Sequence, residues 1–220
     1  MPDPREVLIS VDGRAHGRRP PTQGTVSVIV SVDGPDREPA VEAALRTHGA
    51  LAAELRSLAV VADSPLIRWS AENVVVTADR PWNRDGERLA LVYRASASLS
   101  ATFSDFGALG EWLARAVVLD GVNVGGVDWA LDERAYAELV EEVRRGAVAD
   151  AVAKARVYAD ALELDSVMPV ELSEDPHAGA VPMRLASAMA VGSGDGGTVP
   201  TLEPADVDVE ARVELRFRAR

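Results

Sequence analysis

A chain of 220 residues that is 47% hydrophobic can bury one large core or two small ones, which excludes disorder as the overall state. Its 35 acidic against 23 basic residues give a formal net charge of -12, which repels nucleic-acid phosphates and anionic lipid surfaces, so neither is an expected partner. Cysteine is absent, which removes disulfides, thiolate nucleophiles and cysteine-based zinc sites together. Every basic residue except Lys154 is arginine, a bias that reads as GC-rich coding rather than chemistry. The start, Met1 to Glu6, runs straight into the strand-like Val7-Leu8-Ile9-Ser10-Val11 with no basic segment ahead of a long apolar stretch, so no signal peptide is visible. No apolar run approaches the ~18 residues of a membrane span, and the expected residence is cytoplasmic.

Val26, Val28, Val30 and Val32 alternate with Thr25, Ser27, Ile29 and Ser31, the period of a strand with one face on a core; Asp33-Gly34-Pro35 ends it. From Pro39 to Ala62 the residues Val41, Ala44, Leu45, His48, Ala52, Leu55 and Ala59 recur at helical spacing, predicting an amphipathic helix on a sheet. A strand is predicted over Ile67 to Ala78, then a turn at Pro81 to Gly86, then a long strand from Leu89 to Phe103 that pairs antiparallel with its predecessor. A short helix over about 105–118 precedes Gly121 to Leu131, where the apolar parity switches across Gly125-Gly126, as a β-bulge would produce.

Asp132 and Glu133 open the longest helix, which is expected to reach Leu162 with Tyr136, Val140, Val143, Ala147, Ala151, Ala155, Tyr158 and Leu162 along one stripe. Its alanine-rich middle lets it approach a sheet closely. Val167 to Glu171 reads as a strand. The segment 173–206 has no period and holds Gly192-Ser193-Gly194-Asp195-Gly196-Gly197, so it is expected to be a long mobile loop. The terminal stretch from Val207 to Phe217 alternates strictly and reads as a strand. These elements give an α+β fold, a mainly antiparallel sheet with the helices packed on one face, in a single domain over 1–220, with sub-lobes at 1–104 and 105–220 as the alternative division.

The opening Ile9-Ser10-Val11-Asp12-Gly13, the strand from Thr25 to Asp33 with the helix after it, and Leu91-Val92-Tyr93-Arg94-Ala95 form one run of features. The segment from Gly121 to Trp129 and the alanine-rich helix with its terminal strand complete it. This order resembles the SIMPL-domain family, widespread in bacteria with a few animal relatives, whose molecular activity is largely undefined. The resemblance spans nearly the whole chain and rests on core positions, not on an active-site motif. It implies the fold; the family's envelope-stress and signalling roles do not transfer to particular residues, and its members are often exported. The chain departs from the family at Leu162 to Val167, where glycines usually link helix and strand.

Chemistry-bearing constellations are weak. His16 lies in Arg14-Ala15-His16-Gly17-Arg18-Arg19-Pro20-Pro21, read as a small basic turn between the first two strands, either an anion site or a solvated hairpin loop. His48 falls on the first helix's apolar stripe and reads as packed. Glu174, Asp175 and His177 could gather round a divalent ion, although adjacent residues rarely converge on one without a template. Ser193 lies between glycines without the strand and spacing of a nucleophile elbow, and the glycine run lacks the Lys-Ser/Thr ending of a phosphate loop. Among the tryptophans, Trp69 and Trp129 follow strand alternation into the core, while Trp82 in its turn is the candidate surface anchor.

The expected function is therefore a non-enzymatic protein-interaction module, above all a self-associating one, with no catalytic residues, metal or cofactor. Its expected contacts are Trp82, Arg14, His16, Arg18 and Arg19. Long strands such as 89–103 and 207–217 are expected to make sheet edges unless each is paired on both sides. The alternative is a small-ligand or metal-binding protein, or a hydrolase, with a pocket under the 173–206 loop near Glu174, Asp175, His177 and Arg184.

Overall fold

The computed structural model describes residues 6–82, 88–174 and 202–220, which form an α+β fold of two antiparallel sheets with three helices packed against them. The chain divides into two units, and the division does not follow chain order: the first unit draws on both ends of the sequence.

In the first unit, β1 (Val7–Arg19) pairs with β8 (Val207–Ala219) along its whole length, from Val7 opposite Ala219 to Arg19 opposite Val207. β7 (Val167–Glu174) pairs with the other side of β8, giving the order β1-β8-β7. Strict alternation on β8 sends Val207, Val209, Ala211, Val213, Leu215, Phe217 and Ala219 to the core face and the charged residues to the other. α3 (Glu133–Ala161) covers the core face with Leu139, Val143, Ala147, Ala151, Ala155 and Ala159. Asp132 caps it, accepting a hydrogen bond from the Ala135 amide.

The alanines matter because α3 touches strand backbone. A Cβ added at Gly13 would lie 2.0 Å from the Ala147 carbonyl oxygen, and one at Gly17 would lie 2.5 Å from Val143 Cγ2. Close approach thus needs a small residue on both partners, as the alanine-rich middle predicts.

In the second unit, β2 (Gln23–Gly34) lies between β5 (Val92–Phe103) and β6 (Val122–Ala130), and β3 (Leu66–Ala71) and β4 (Val75–Asp79) both pair with the far side of β5. One face carries Val26, Val28, Val30, Leu99, Ala101 and Phe103. α1 (Arg37–Ala59) and α2 (Phe106–Ala116) cover that face with Leu51, Leu55, Leu109, Trp112 and Leu113. The predicted bulge is present: the β2–β6 register slips between Val26 and Val28, opposite Gly125-Gly126. Leu202 and Ala205 pack against this same core.

The expected α+β, mainly antiparallel fold is present, with its strands divided between two sheets. Other expectations are corrected. The stretch from Arg14 to Arg19 is strand, not turn, and β1 and β2 lie in different sheets. Here the inward residues are Gly13, Ala15 and Gly17, so the alternation persists while its hydrophobic signal vanishes. The predicted strand over 67–78 is two strands, and that over 89–103 begins at Val92. On α3 the buried stripe holds Leu139 and Ala159, while Tyr158 and Leu162 are exposed. On α1 Leu51 is buried where Leu45 was expected to be, and Leu45 faces solvent. Finally, β5 and β8 are paired on both sides, so among the described residues the edges belong to β1, β7, β6 and the β3/β4 pair. The segment 175–201 of the predicted loop lies outside the described residues, while Ser173 and Glu174 close β7.

Candidate interaction surface

The even residues of β1 share the sheet face opposite α3 with the even residues of β8, where Asp12 stands opposite Glu214 and Arg14 opposite Arg212, while opposite charges meet directly at Arg18 and Asp208 and diagonally at Arg212 and Asp12. Arg18 Nε donates to Asp208 Oδ1 at 2.7 Å. That hydrogen bond, with the carboxylate's charge, raises the guanidinium pKa further above its usual value. His16 Nε2 lies 3.8 Å from Glu210 Oε1, and Arg212 Nη2 donates to Asp12 Oδ2 at 2.7 Å. Arg19 turns to α3 instead, donating to Glu138 at 3.3 Å and Glu142 at 3.2 Å. The side chain of Arg14 sits opposite Arg212, while its backbone N–H donates to Asp150 Oδ2 at 2.9 Å. The basic segment is therefore a strand whose arginines at 18 and 19 and whose histidine each face a carboxylate of the same chain.

β7 differs in character. Met168, Val170 and Leu172 are 56%, 47% and 56% exposed, although Leu172 sits opposite the buried Leu215 in register. α3 lies over β1 and β8 and leaves β7 largely uncovered. Its two acids are both met by arginine: Glu171 by Arg216 at 3.1 Å and Glu174 by Arg144 at 2.8 Å. Elsewhere Trp82 is 81% exposed, outside any helix or strand, and the rest of its predicted turn, 83–86, lies outside the described residues.

Among the other candidates, Trp69 is half-buried with Arg56 stacked 5.7 Å from its ring centroid, and Trp129 packs edge-on to Phe106. His48 Nε2 lies 3.4 Å from the Ser98 carbonyl oxygen. Asp175, His177 and Arg184 lie outside the described residues, as does Ser193. Among the described residues no three metal-ligating side chains converge, and no helix is long and apolar enough to cross a membrane. Among the described residues, hollows lie beside Val7, Leu162 and Leu164, about 260 Å³, and between Arg68, Trp69, Ser70, Ser100 and Thr102, about 90 Å³.

The family described as SIMPL, protein of unknown function (DUF541), matches residues 9–217, nearly the full length. The chain belongs to the SIMPL family. No curated protein is similar enough to count as a match. Membership accounts for the core positions of this SIMPL chain and names no activity. Two features of it escape sequence reasoning. The exposure of β7 follows from where α3 lies, which no local pattern encodes. The other is Asp150 and Lys154 on α3, which read as one more helical ion pair; the only signal is that Lys154 is the chain's sole lysine.

Proposed function

We propose that this SIMPL chain acts by protein association rather than by catalysis, and that the partner its surface favours is a second copy of itself. The observation that carries the reading is β7, a strand at the border of its sheet with three apolar side chains in water. In a chain of net charge -12, most surfaces of two copies repel one another. Along β7 the acids are already neutralised by Arg216 and Arg144, so apolar area can be buried there without stranding a carboxylate. Pro169 has no N–H to offer a neighbouring strand, so contact runs through side chains.

The test is light scattering coupled to size-exclusion chromatography at tens of micromolar. The native chain is expected to run above monomer mass, and Met168→Arg/Leu172→Arg to return it to monomer with its circular dichroism unchanged. Trp82→Ala reports whether that indole is a second contact. A compact monomer for the native chain removes self-association.

A further inference from the structure

Strand geometry fixes where the backbone groups of β1 point. Alternate residues of an antiparallel strand turn both N–H and C=O towards the same side. Arg14 N–H bonds Asp150, and the Asp12 carbonyl accepts from Lys154 Nζ at 3.0 Å, so both belong to the row that faces away from β8. Leu8, Ser10, Asp12, Arg14, His16 and Arg18 make up that row, the outer edge of a strand of 13 residues. Such an edge is a template for another strand.

Its centre is occupied. Asp150 Oδ2 accepts from Arg14 N–H and from Lys154 Nζ at 2.6 Å, so two side chains one helical turn apart bond both a donor and an acceptor of the edge and each other. They reach it because α3 lies on glycine: a Cβ at Gly13 would also meet Ala151 Cβ at 2.8 Å, and one at Gly146 would meet Ala15 Cβ at 2.9 Å. The opposite edge is blunted by other means. Even residues of β8 serve β7, so Met168 faces Arg218 and Pro169, the next residue, turns outward, where it denies a newcomer a donor at no cost to the ladder. The register slips immediately after it.

We propose that the Asp150–Lys154 pair is an edge guard, which keeps a strand of a second copy from adding to β1 by holding Arg14 N–H and Asp12 C=O. Side-chain contact through β7 is compatible with this guard and independent of it. In isolation, an ion pair on a helix surface needs only opposite charges; guarding the edge needs the acceptor at 150 and the donor at 154.

That difference supplies the test. Asp150→Lys/Lys154→Asp preserves the charges and the helical pair but cannot make either backbone bond, and Asp150→Ala/Lys154→Ala removes both. Each is placed on Met168→Arg/Leu172→Arg, so that any new assembly comes from elsewhere than β7. Expected is a mass that rises with concentration in both, the unchanged mass of the Met168→Arg/Leu172→Arg background for the control Arg156→Ala/Asp160→Ala, and return to that background mass when Arg14→Pro removes the outward donor. Folded guard variants with unchanged mass overturn the proposal, as does a gain that Arg14→Pro leaves intact or that the control shares. In the native chain the Arg14 amide is expected to exchange with solvent about tenfold more slowly than those of Ser10 and His16. Equal rates overturn it even if the variants fail to fold.

Discussion

Glu163 closes α3 with a positive φ of 57°, a left-handed conformation that glycine takes freely. The Leu164 amide donates to the Ala159 carbonyl at 2.9 Å and the Glu163 amide to that of Asp160 at 3.1 Å, the paired bonds of a Schellman ending. The chain thus keeps the turn geometry at the place where it lacks the family's glycines. Glu163→Gly is expected to stabilise by about 0.5–1 kcal/mol, relief of backbone strain exceeding the added freedom of the unfolded chain, and Glu163→Val to destabilise; urea midpoints decide. Acid acts on other residues. Hydrogen bonds from Arg94 to Asp33 hold that carboxyl below its ordinary pKa; those from Arg134 and Arg19 do so for Glu138, and those from Lys154 and the Arg14 amide for Asp150. A depressed folded pKa contributes stability that is present above the unfolded value and lost as pH falls through the folded one. Stability should therefore decline below about pH 4, less steeply in Asp33→Asn, and the effect should shrink in high salt because all three groups are exposed.

At the scale of elements, the pairing of β1 with α3 is the most demanding fit. Gly13→Ala forces a methyl against the Ala147 carbonyl oxygen, and part of the helix must lift; a loss of about 3 kcal/mol is expected in chemical denaturation. Alternation of apolar with polar residues made β2, β5 and β8 legible in the sequence, with inward valines on β2 and β8 and Leu99 and Phe103 on β5 marking the core face. Beyond Val11, β1 was not legible, since its inward positions are glycine and alanine, chosen by the neighbouring helix and not by hydrophobicity. On α3 the expected stripe is buried through Val143, Ala147, Ala151 and Ala155, and departs at its C-terminal end, where Ala159 and not Tyr158 faces the core. Tyr158 and Leu162 carry more apolar surface than Ala159, but a helix pressed close to strand backbone turns its small residues inward there.

For the molecule as a whole, the two cores are lined by different residues: Phe217 and Leu139 in one, Phe103 and Trp112 in the other. Phe217→Ala and Phe103→Ala are each expected to cost about 3–5 kcal/mol, and their effects to add within about 0.5 kcal/mol in the double variant, because among the described residues each packs in a separate cluster. A shortfall well beyond that in thermal or urea unfolding would mean that the cores are coupled. The candidate surface was less legible than the fold. The position of Trp82 in a turn left exposure and folding back onto the sheet equally open, and whether β7 is covered depends on which strand the helix lies over, a tertiary fact. The pairing of β1 with β8 has one more consequence, in time rather than space. β8 leaves the ribosome after every other described strand, so the first sheet cannot close until synthesis has passed residue 219, whereas every strand of the second sheet has emerged by Ala130. Nascent chains stalled just short of Val207 should show β2 to β6 resisting protease while β1, waiting beside a helix for its partner, is cut.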